Sequence, residues 1–460
     1  MMEKRYKKRI AFIISDQHFI PHGGIGSFCK SFFEMAERLN WRVDIILDKP
    51  PRNSQLLEYF KKEEVSLFYS DSQQSYSIHN NIFLFSDGVN IEKILNFRNS
   101  LMQAFSNNVY DLIITNTLEA CLAGYFLGFS DLIPFVYYTH NENAVFLNMP
   151  ETKVFNKNYN ELSRRMMTLS NVISGTQSIR NKNAIKENYP SSNVVVLPIP
   201  IAERELLNTY NGEKEGIIFI GRYEERKDPD FFIKVIKETK LPAKILTNKK
   251  SVNKFKQKFK KFNIINYEIK AGIIGKEKVN FIKSAKLAFN PSKQESYCLA
   301  AFETLHSCKT LALKENEWWE NFKGLINVTT RKTAINDILQ LYNESFDSNI
   351  LLKKMKEKDS RTDDIWQKFL NSYNILNMKK SNSNTTLIRE LKLFKILSIH
   401  DYFYKNLKRQ KIAIFDIKSI LSKRNEVYFY YTKNNTYMSL INDFSELKVN
   451  DMQSNKLFEI

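Results

Sequence analysis

With 460 residues, 43% of them hydrophobic and 13% aromatic, the chain has enough apolar material for buried cores, and this excludes wholesale disorder. Only 13 glycines and 11 prolines exclude fibrous and low-complexity classes. Lysine plus arginine number 69 against 50 acidic residues, a formal charge of +19 that points to a polyanionic partner, or more plainly to solubility in a lysine-rich chain. Four scattered cysteines (Cys29, Cys121, Cys298, Cys308), none in a C-x-x-C pair, are too few for a disulfide framework and fit a reducing, cytoplasmic setting. The apolar run Ile10–Ile14 is too short for a signal peptide, and Cys121–Tyr138 is interrupted by Asp131 and Pro134, so no transmembrane segment is expected.

Short β-branched and aromatic runs alternate with segments of helical length, the pattern of parallel sheets wrapped by helices. The first series of predicted strands is Arg9–Ser15, Val43–Leu47, Asp111–Thr115, Phe135–Thr139, Val172–Ser174 and Val194–Leu197. A Pro-containing, then polar stretch up to Glu215 reads as a linker, after which strands restart at Gly216–Gly221, Ala243–Thr247, Ile264–Ile269, Lys286–Asn290 and Leu325–Val328. Trp366, Phe369 and Tyr373 predict an amphipathic helix over Arg361–Met378. A polar tract, Lys379–Thr386, then leads to a basic unit with a helical region up to Gln410 and a hairpin of Val427–Thr432 and Thr436–Ile441. The expected organisation is two Rossmann-like domains, 1–200 and 201–360, a return helix at 361–378 packing on the first domain, and a small α+β extension at 387–460.

Four segments carry chemistry. Ser15–Phe28 (SDQHFIPHGGIGSF) leaves the first strand and enters a helix; Gly23, Gly24 and Gly26 let backbone N–H groups approach an anion there, without the G-x-G-x-x-G spacing of a dinucleotide site. In Gly216–Asp230 (GIIFIGRYEERKDPD), Arg222 and Lys227 follow a strand and suit a diphosphate; the bland alternative is a solvated charged turn. Asp228-Pro229-Asp230 is better explained as a helix start, with Asp at the N-cap and Pro at N1, than as a metal motif. In Asn290–Leu313, Glu295 and Glu303 are separated by seven residues, the first in a loop and the second on the following helix. In Tyr137–Val145 (YYTHNENAV), His140 stands at a strand end, where it is either structural or a hydrogen-bonding group for a bound sugar.

The Glu-x7-Glu spacing, with the glycine-rich first loop and the Arg–Lys pair in the same order, resembles the retaining GT-B glycosyltransferases. The resemblance implies an α/β fold of two Rossmann-like domains facing a cleft. It implies that Arg222 and Lys227 neutralise the leaving diphosphate of a UDP-sugar donor, and that Glu295 and His140 sit by the sugar. Glu303 would hold the ribose hydroxyls, with Ser296, Tyr297, Cys298 and Leu299 lining the donor pocket beside the first loop. No protein nucleophile, cofactor or metal is expected. The sequence departs from the family at Cys298, where glycine is usual, near Ala300, where proline is usual, and at Cys308-Lys309-Thr310 in place of a Gly-x-Pro turn, which leaves the sugar unassigned.

The remaining charge bears on the acceptor. Lys249–Lys261 (KKSVNKFKQKFKK) carries seven lysines and no acid, with Phe255 and Phe259 spaced to pin one face, so Lys249, Lys250, Lys254 and Lys258 are candidates for binding a polyanion. In layout, Asp111–Asn116, Val136–Leu147 and Phe289–Thr310 resemble the α-glucosyltransferases of T-even bacteriophages, which implies 5-hydroxymethylcytosine in phage DNA as acceptor within a host cytoplasm. The alternatives are a lipopolysaccharide or capsule glycosyltransferase at the anionic inner membrane, and a catalytically inactive basic DNA-binding protein on the same fold.

Overall fold

The computed structural model describes residues 6–19, 24–51, 65–70, 91–106, 108–140, 163, 166–169, 171–201, 203–345 and 347–372, and five short strands between 415 and 459. Its first sheet is wholly parallel, in the order β3-β2-β1-β4-β5-β6-β7. The strands are β1 (Lys8–Ile13), β2 (Trp41–Leu47), β3 (Leu67–Tyr69), β4 (Leu112–Thr115), β5 (Phe135–Tyr138), β6 (Ile173–Thr176) and β7 (Val194–Val196). A second parallel sheet runs β10-β9-β8-β11-β12-β13. It comprises β8 (Ile217–Ile220), β9 (Ala243–Thr247), β10 (Tyr267–Ala271), β11 (Leu287–Asn290), β12 (Lys309–Leu313) and β13 (Asn327–Thr329). Chain order reverses between β1 and β4 in the first sheet and between β8 and β11 in the second. These are the switch points at which open α/β sheets leave a crevice beyond the strand ends.

Strand residues alternate between the two faces of each sheet. In the first sheet, Ile10, Phe12, Val43, Ile45, Leu112, Ile114, Val136 and Tyr138 join one buried cluster; Ala11, Ile13, Ile46, Ile113, Phe135 and Tyr137 join another. The first of these clusters continues into the second sheet through Ile218, Leu246, Ala288 and Ala312 and the helices Gly275–Lys283 and Leu299–Thr304. The opposite face of the second sheet, with Ile217, Phe219, Ile245, Leu287, Phe289 and Leu311, is covered by the helices Pro229–Thr239, Lys249–Lys261 and Ala334–Asn343.

The connection between the sheets is only partly a polar linker. Leu197, Ile199, Ile201, Leu206 and Leu207 are buried in the shared cluster, so its first half is core, while Asn208 and Asn211–Glu213 are exposed. The helix near the end of the second domain spans Ser348–Ser372, starting 13 residues before the predicted Arg361; residues 373–378 lie outside the described ones. On it, Trp366 is fully buried, meets Phe32 edge-on at 4.9 Å between ring centroids and donates its indole N–H to the Pro198 carbonyl at 2.8 Å. Asp363 receives both Nε and Nη2 of Arg38, at 3.0 and 2.7 Å.

Strands missed in the sequence are β3 and β12 and, near the C-terminus, Leu447–Asp451 and Lys456–Glu459, and the predicted Ile264–Ile269 strand is displaced to Tyr267–Ala271. The preceding helix ends at Lys261, Asn263 takes a left-handed φ of 54°, and Ile265 is left 92% exposed in the turn. Towards the C-terminus, β14 (Phe415–Asp416), β15 (Val427–Tyr431), β16 (Thr436–Leu440), β17 (Leu447–Asp451) and β18 (Lys456–Glu459) form an antiparallel sheet, with the expected hairpin registered Tyr431 to Thr436. The basic helical region up to Gln410 lies outside the described residues.

Replacing Trp366 with alanine removes a large buried ring and leaves the Pro198 carbonyl without its donor. A loss of about 3–5 kcal/mol is expected, read as a lower urea midpoint by circular dichroism; a loss below about 1 kcal/mol would be that of a site able to collapse around the cavity and would contradict the packing described.

Candidate functional site

At the switch point of the second sheet, two loops are drawn together by a buried charge. Glu295, in the loop after β11, is 8% exposed. Its Oε1 accepts a hydrogen bond from Lys227 Nζ and its Oε2 lies 3.2 Å from Arg226 Nη1; both cations stand in the loop after β8. Burial alone would raise the carboxyl pKa, but the charges of Lys227 and Arg226 outweigh it and hold Glu295 below the usual carboxylate range. The backbone completes the join: Lys293 N–H donates to the Arg226 carbonyl at 2.8 Å and Arg226 Nη1 donates to the Gln294 carbonyl at 3.0 Å. Gly221 lets the Lys227 stem run close, since a Cβ there would sit 3.4 Å from Lys227 Cδ and 3.2 Å from the Phe219 ring.

Of the two cations predicted for a diphosphate, Lys227 is therefore at the crevice, while Arg222 is about half exposed and bridges Glu224 at 2.9 Å. Arg226, not singled out in the sequence, takes the place beside Glu295; its adjacency to Lys227 was the available signal. Asp228 stands at the N-cap with Pro229 following, as expected, but its φ of 49° turns the side chain away from capping, and it pairs with Arg331 instead. Among the described residues no cluster of His, Cys, Asp and Glu could hold a metal ion.

Glu303, 7% exposed on the helix Leu299–Thr304, meets Lys278 Nζ at 2.5 Å. Burial alone would lower the Lys278 ammonium pKa; Glu303 and the nearby Glu203 hold it above its ordinary value. Lys278 lies 25 positions away on another helix, and nothing in the local sequence marks it. Between the two glutamates, Tyr297 and Cys298 are buried and the Ser296 carbonyl accepts from Asn321 Nδ2 at 2.9 Å. Cys298 has φ 66° and ψ 74°, left-handed values that strain any residue with a Cβ and favour glycine. Asn290 Nδ2 donates to its Sγ at 2.9 Å, and burial followed by the charge of Glu295 pushes its thiol pKa up to about 12. The cysteine at this position, where the sequence resemblance implied glycine, adopts a backbone conformation that favours glycine.

The first domain meets this site from the opposite side. The helix Gly24–Arg38 begins where a Cβ on Gly24 would lie 3.9 Å from Leu299 Cδ1, so the two helix starts face each other. Gly26 is buried in that helix, and Gly23 lies outside the described residues. His140, two residues past β5, contacts Phe28 and Tyr138 (centroids 5.1 and 4.8 Å apart), and its Nε2 is 2.8 Å from Asn116 Oδ1. Burial, then the like charge of His18, pushes its pKa down to about 3. Residues 141–145 lie outside the described ones.

The lysine helix is organised as its spacing predicts, with Phe255 and Phe259 buried and Lys249, Lys250 and Lys254 exposed. Lys258 is paired with Asp230 at 2.7 Å and is the least available of the four.

No family model matches the chain, and no curated protein matches it in sequence. Among solved structures, it is similar to sucrose-phosphate synthase from Thermosynechococcus elongatus (13% identity, TM-score 0.55, covering 86% of this chain and 100% of that one). It is also similar to HepE from Anabaena in complex with UDP and glucose (13%, TM-score 0.56, covering 79% and 99%). WaaG, described as a glycosyltransferase involved in lipopolysaccharide biosynthesis, matches at 12% identity and TM-score 0.52, covering 80% and 96%. At such identities the likeness is one of fold. The chain has the two-sheet Rossmann-like architecture of GT-B glycosyltransferases, with the Lys227–Arg226–Glu295 cluster at the switch point of its second sheet.

All four cysteines are buried. Iodoacetamide at pH 8 should label none of them in the native protein and all of them in guanidinium, counted by mass spectrometry; native labelling of Cys298 would contradict its enclosure and raised pKa.

Proposed function

We propose that the protein is a retaining glycosyltransferase that takes a sugar from a nucleoside diphosphate donor, UDP-linked in the first instance, without a metal ion. The observation that carries this reading is the pairing of Lys227 and Arg226 with buried Glu295 at the switch point, eight positions before buried Glu303. The leaving diphosphate takes the bonding pair and gains one negative charge as the anomeric C–O bond breaks, a charge that needs preorganised cations, and Lys227 and Arg226 stand in a low-dielectric crevice where such contacts count most. Arg222, half exposed in the same loop, would add a further cation to the diphosphate by releasing Glu224. Glu303 accepts from the ribose hydroxyls while Lys278 keeps its buried charge compensated. Glu295, held by two cations, is a poor nucleophile, which supports transfer in which the acceptor enters on the face the diphosphate leaves. That HepE is described with UDP and glucose supports a UDP-sugar as the first donor to try.

For the acceptor, the envelope reading has a specific observation in its favour, the described role of WaaG in lipopolysaccharide biosynthesis. No helix among the described residues is long and apolar enough to cross a membrane, so contact with a lipid-linked acceptor would be peripheral. The 5-hydroxymethylcytosine reading keeps the lysine helix in its support. A flipped base must enter the crevice, however, whereas that helix covers the sheet face turned away from the first domain.

Lys227→Ala or Glu303→Ala should each lower transfer at least about 100-fold, as for loss of one transition-state or donor contact, with the circular dichroism spectrum unchanged. Wild-type turnover in both would refute the assignment. With radiolabelled UDP-sugars, label is expected in an anionic envelope glycan or glycolipid. Label in hydroxymethylated nucleosides, with DNA affinity falling by a log–log salt slope of about −0.9 per phosphate contacted, would transfer the assignment to the DNA acceptor.

A further inference from the structure

The switch point of the first sheet holds a second built arrangement, in which Asn116, given no role in the sequence analysis, meets His140. Asn116 directly follows β4, and its side chain ties the end of β1 to the segment after β5: Nδ2 donates to the Ile13 carbonyl at 2.9 Å, and Oδ1 lies 2.8 Å from His140 Nε2. The Ile13 carbonyl also accepts the Asn116 backbone N–H at 3.1 Å. Only one amide orientation satisfies this pair, because turning it over would set the amide oxygen against the Ile13 carbonyl oxygen. With Oδ1 facing the ring, the imidazole nitrogen that meets it must carry a hydrogen.

We propose that Asn116 is a positioning residue that locks His140 as the neutral imidazole protonated on Nε2, so that the unprotonated Nδ1 is the atom presented to a donor or acceptor hydroxyl. Asn116 is 5% exposed, so its amide is held away from competing water. The ring is fixed in plane by Phe28 from the helix Gly24–Arg38 and by Tyr138 from β5. Among the described residues, the groups facing it are Asn116, His18 from the segment after β1, and Tyr138, whose hydroxyl is turned to the Leu197 carbonyl at 2.7 Å; none of these is a carboxylate that would favour an imidazolium. A neutral imidazole with a bare Nδ1 accepts a hydroxyl hydrogen and orients the sugar or the attacking group without giving up a proton. Which hydroxyl it meets rests on the sugar-transfer reading above; the tautomer lock does not.

The lock is tested by nitrogen-15 NMR of the full chain with histidine-selective labelling, His140 being assigned through His140→Gln. In the wild type, the Nε2–H form is expected as a single tautomer from pH 6 to 8. In Asn116→Asp the carboxylate should raise the His140 midpoint from about 3 by roughly 1–3 units, the effect of an adjacent opposite charge. In Asn116→Leu the midpoint should stay low while the tautomer preference is lost. A wild-type His140 that is Nδ1–H, mixed or charged at pH 7 overturns the proposal, whatever becomes of the variants. So does an Asn116→Asp midpoint that does not move, as a merely space-filling asparagine would predict. Each signal is read without donor or acceptor, so loss of the glycosyltransferase reading and loss of the lock are separate outcomes.

Discussion

The site depends on the cost of keeping a charge in a place with little water. A buried carboxylate such as Glu295 is disfavoured by several kcal/mol unless cations and hydrogen bonds replace its hydration. Lys227 and Arg226 do so, and because they stand on the loop after β8 while Glu295 stands on the loop after β11, the compensation closes those two loops against each other at the reversal of strand order. The loop after β11 is braced from behind as well. Asn316 Nδ2 and Trp318 Nε1 both donate to the Ser292 carbonyl, at 2.9 and 2.8 Å, and Asn290 receives the Ser292 hydroxyl at 2.7 Å. An anionic ligand entering here meets cations already in position, so it need not gather them from solvent.

The same constraint explains the turn that follows. With Glu295 held on one side and the helix of Glu303 on the other, the chain must reverse within a few residues, and Cys298 adopts the left-handed conformation in which glycine is most at ease. The Asn290–Cys298 hydrogen bond and full enclosure of the thiol offset part of that strain. Cys298, read in the sequence as a departure from the glycine of the pattern it resembles, thus stands on a backbone that glycine also favours. In the first domain, Asn116 performs a related service between β1 and β5, so both crevice walls are organised by one polar side chain crossing a switch point.

Much of the fold was legible because its determinants are local. The continuous apolar runs Ile10–Ile14 and Ile217–Ile220 mark strands buried on both faces, and Phe255 and Phe259 sit four apart as a pinned helix requires. What local pattern could not reveal were pairings fixed by the tertiary path. Arg222 and Arg226 are both arginines of one loop, and only the one-turn 3-10 helix at Glu225–Lys227 decides which of them faces Glu295. Lys278 and Asn116 come from other elements, and their roles exist only once the sheets are assembled. Lys258 looked like one more free lysine until the fold set Asp230 beside it. The strand β12 was hidden because Lys309–Leu313 follows the helix of Glu303 after only a few residues and with no glycine or proline between them to mark the turn.

The most direct measurement is a crystal structure of the protein with UDP. The account predicts the diphosphate against Lys227 with an arginine of the same loop, and the ribose hydroxyls on Glu303. Ordered UDP elsewhere on the molecule, or an empty crevice with Glu295 still closed on Lys227 at millimolar UDP, would contradict it.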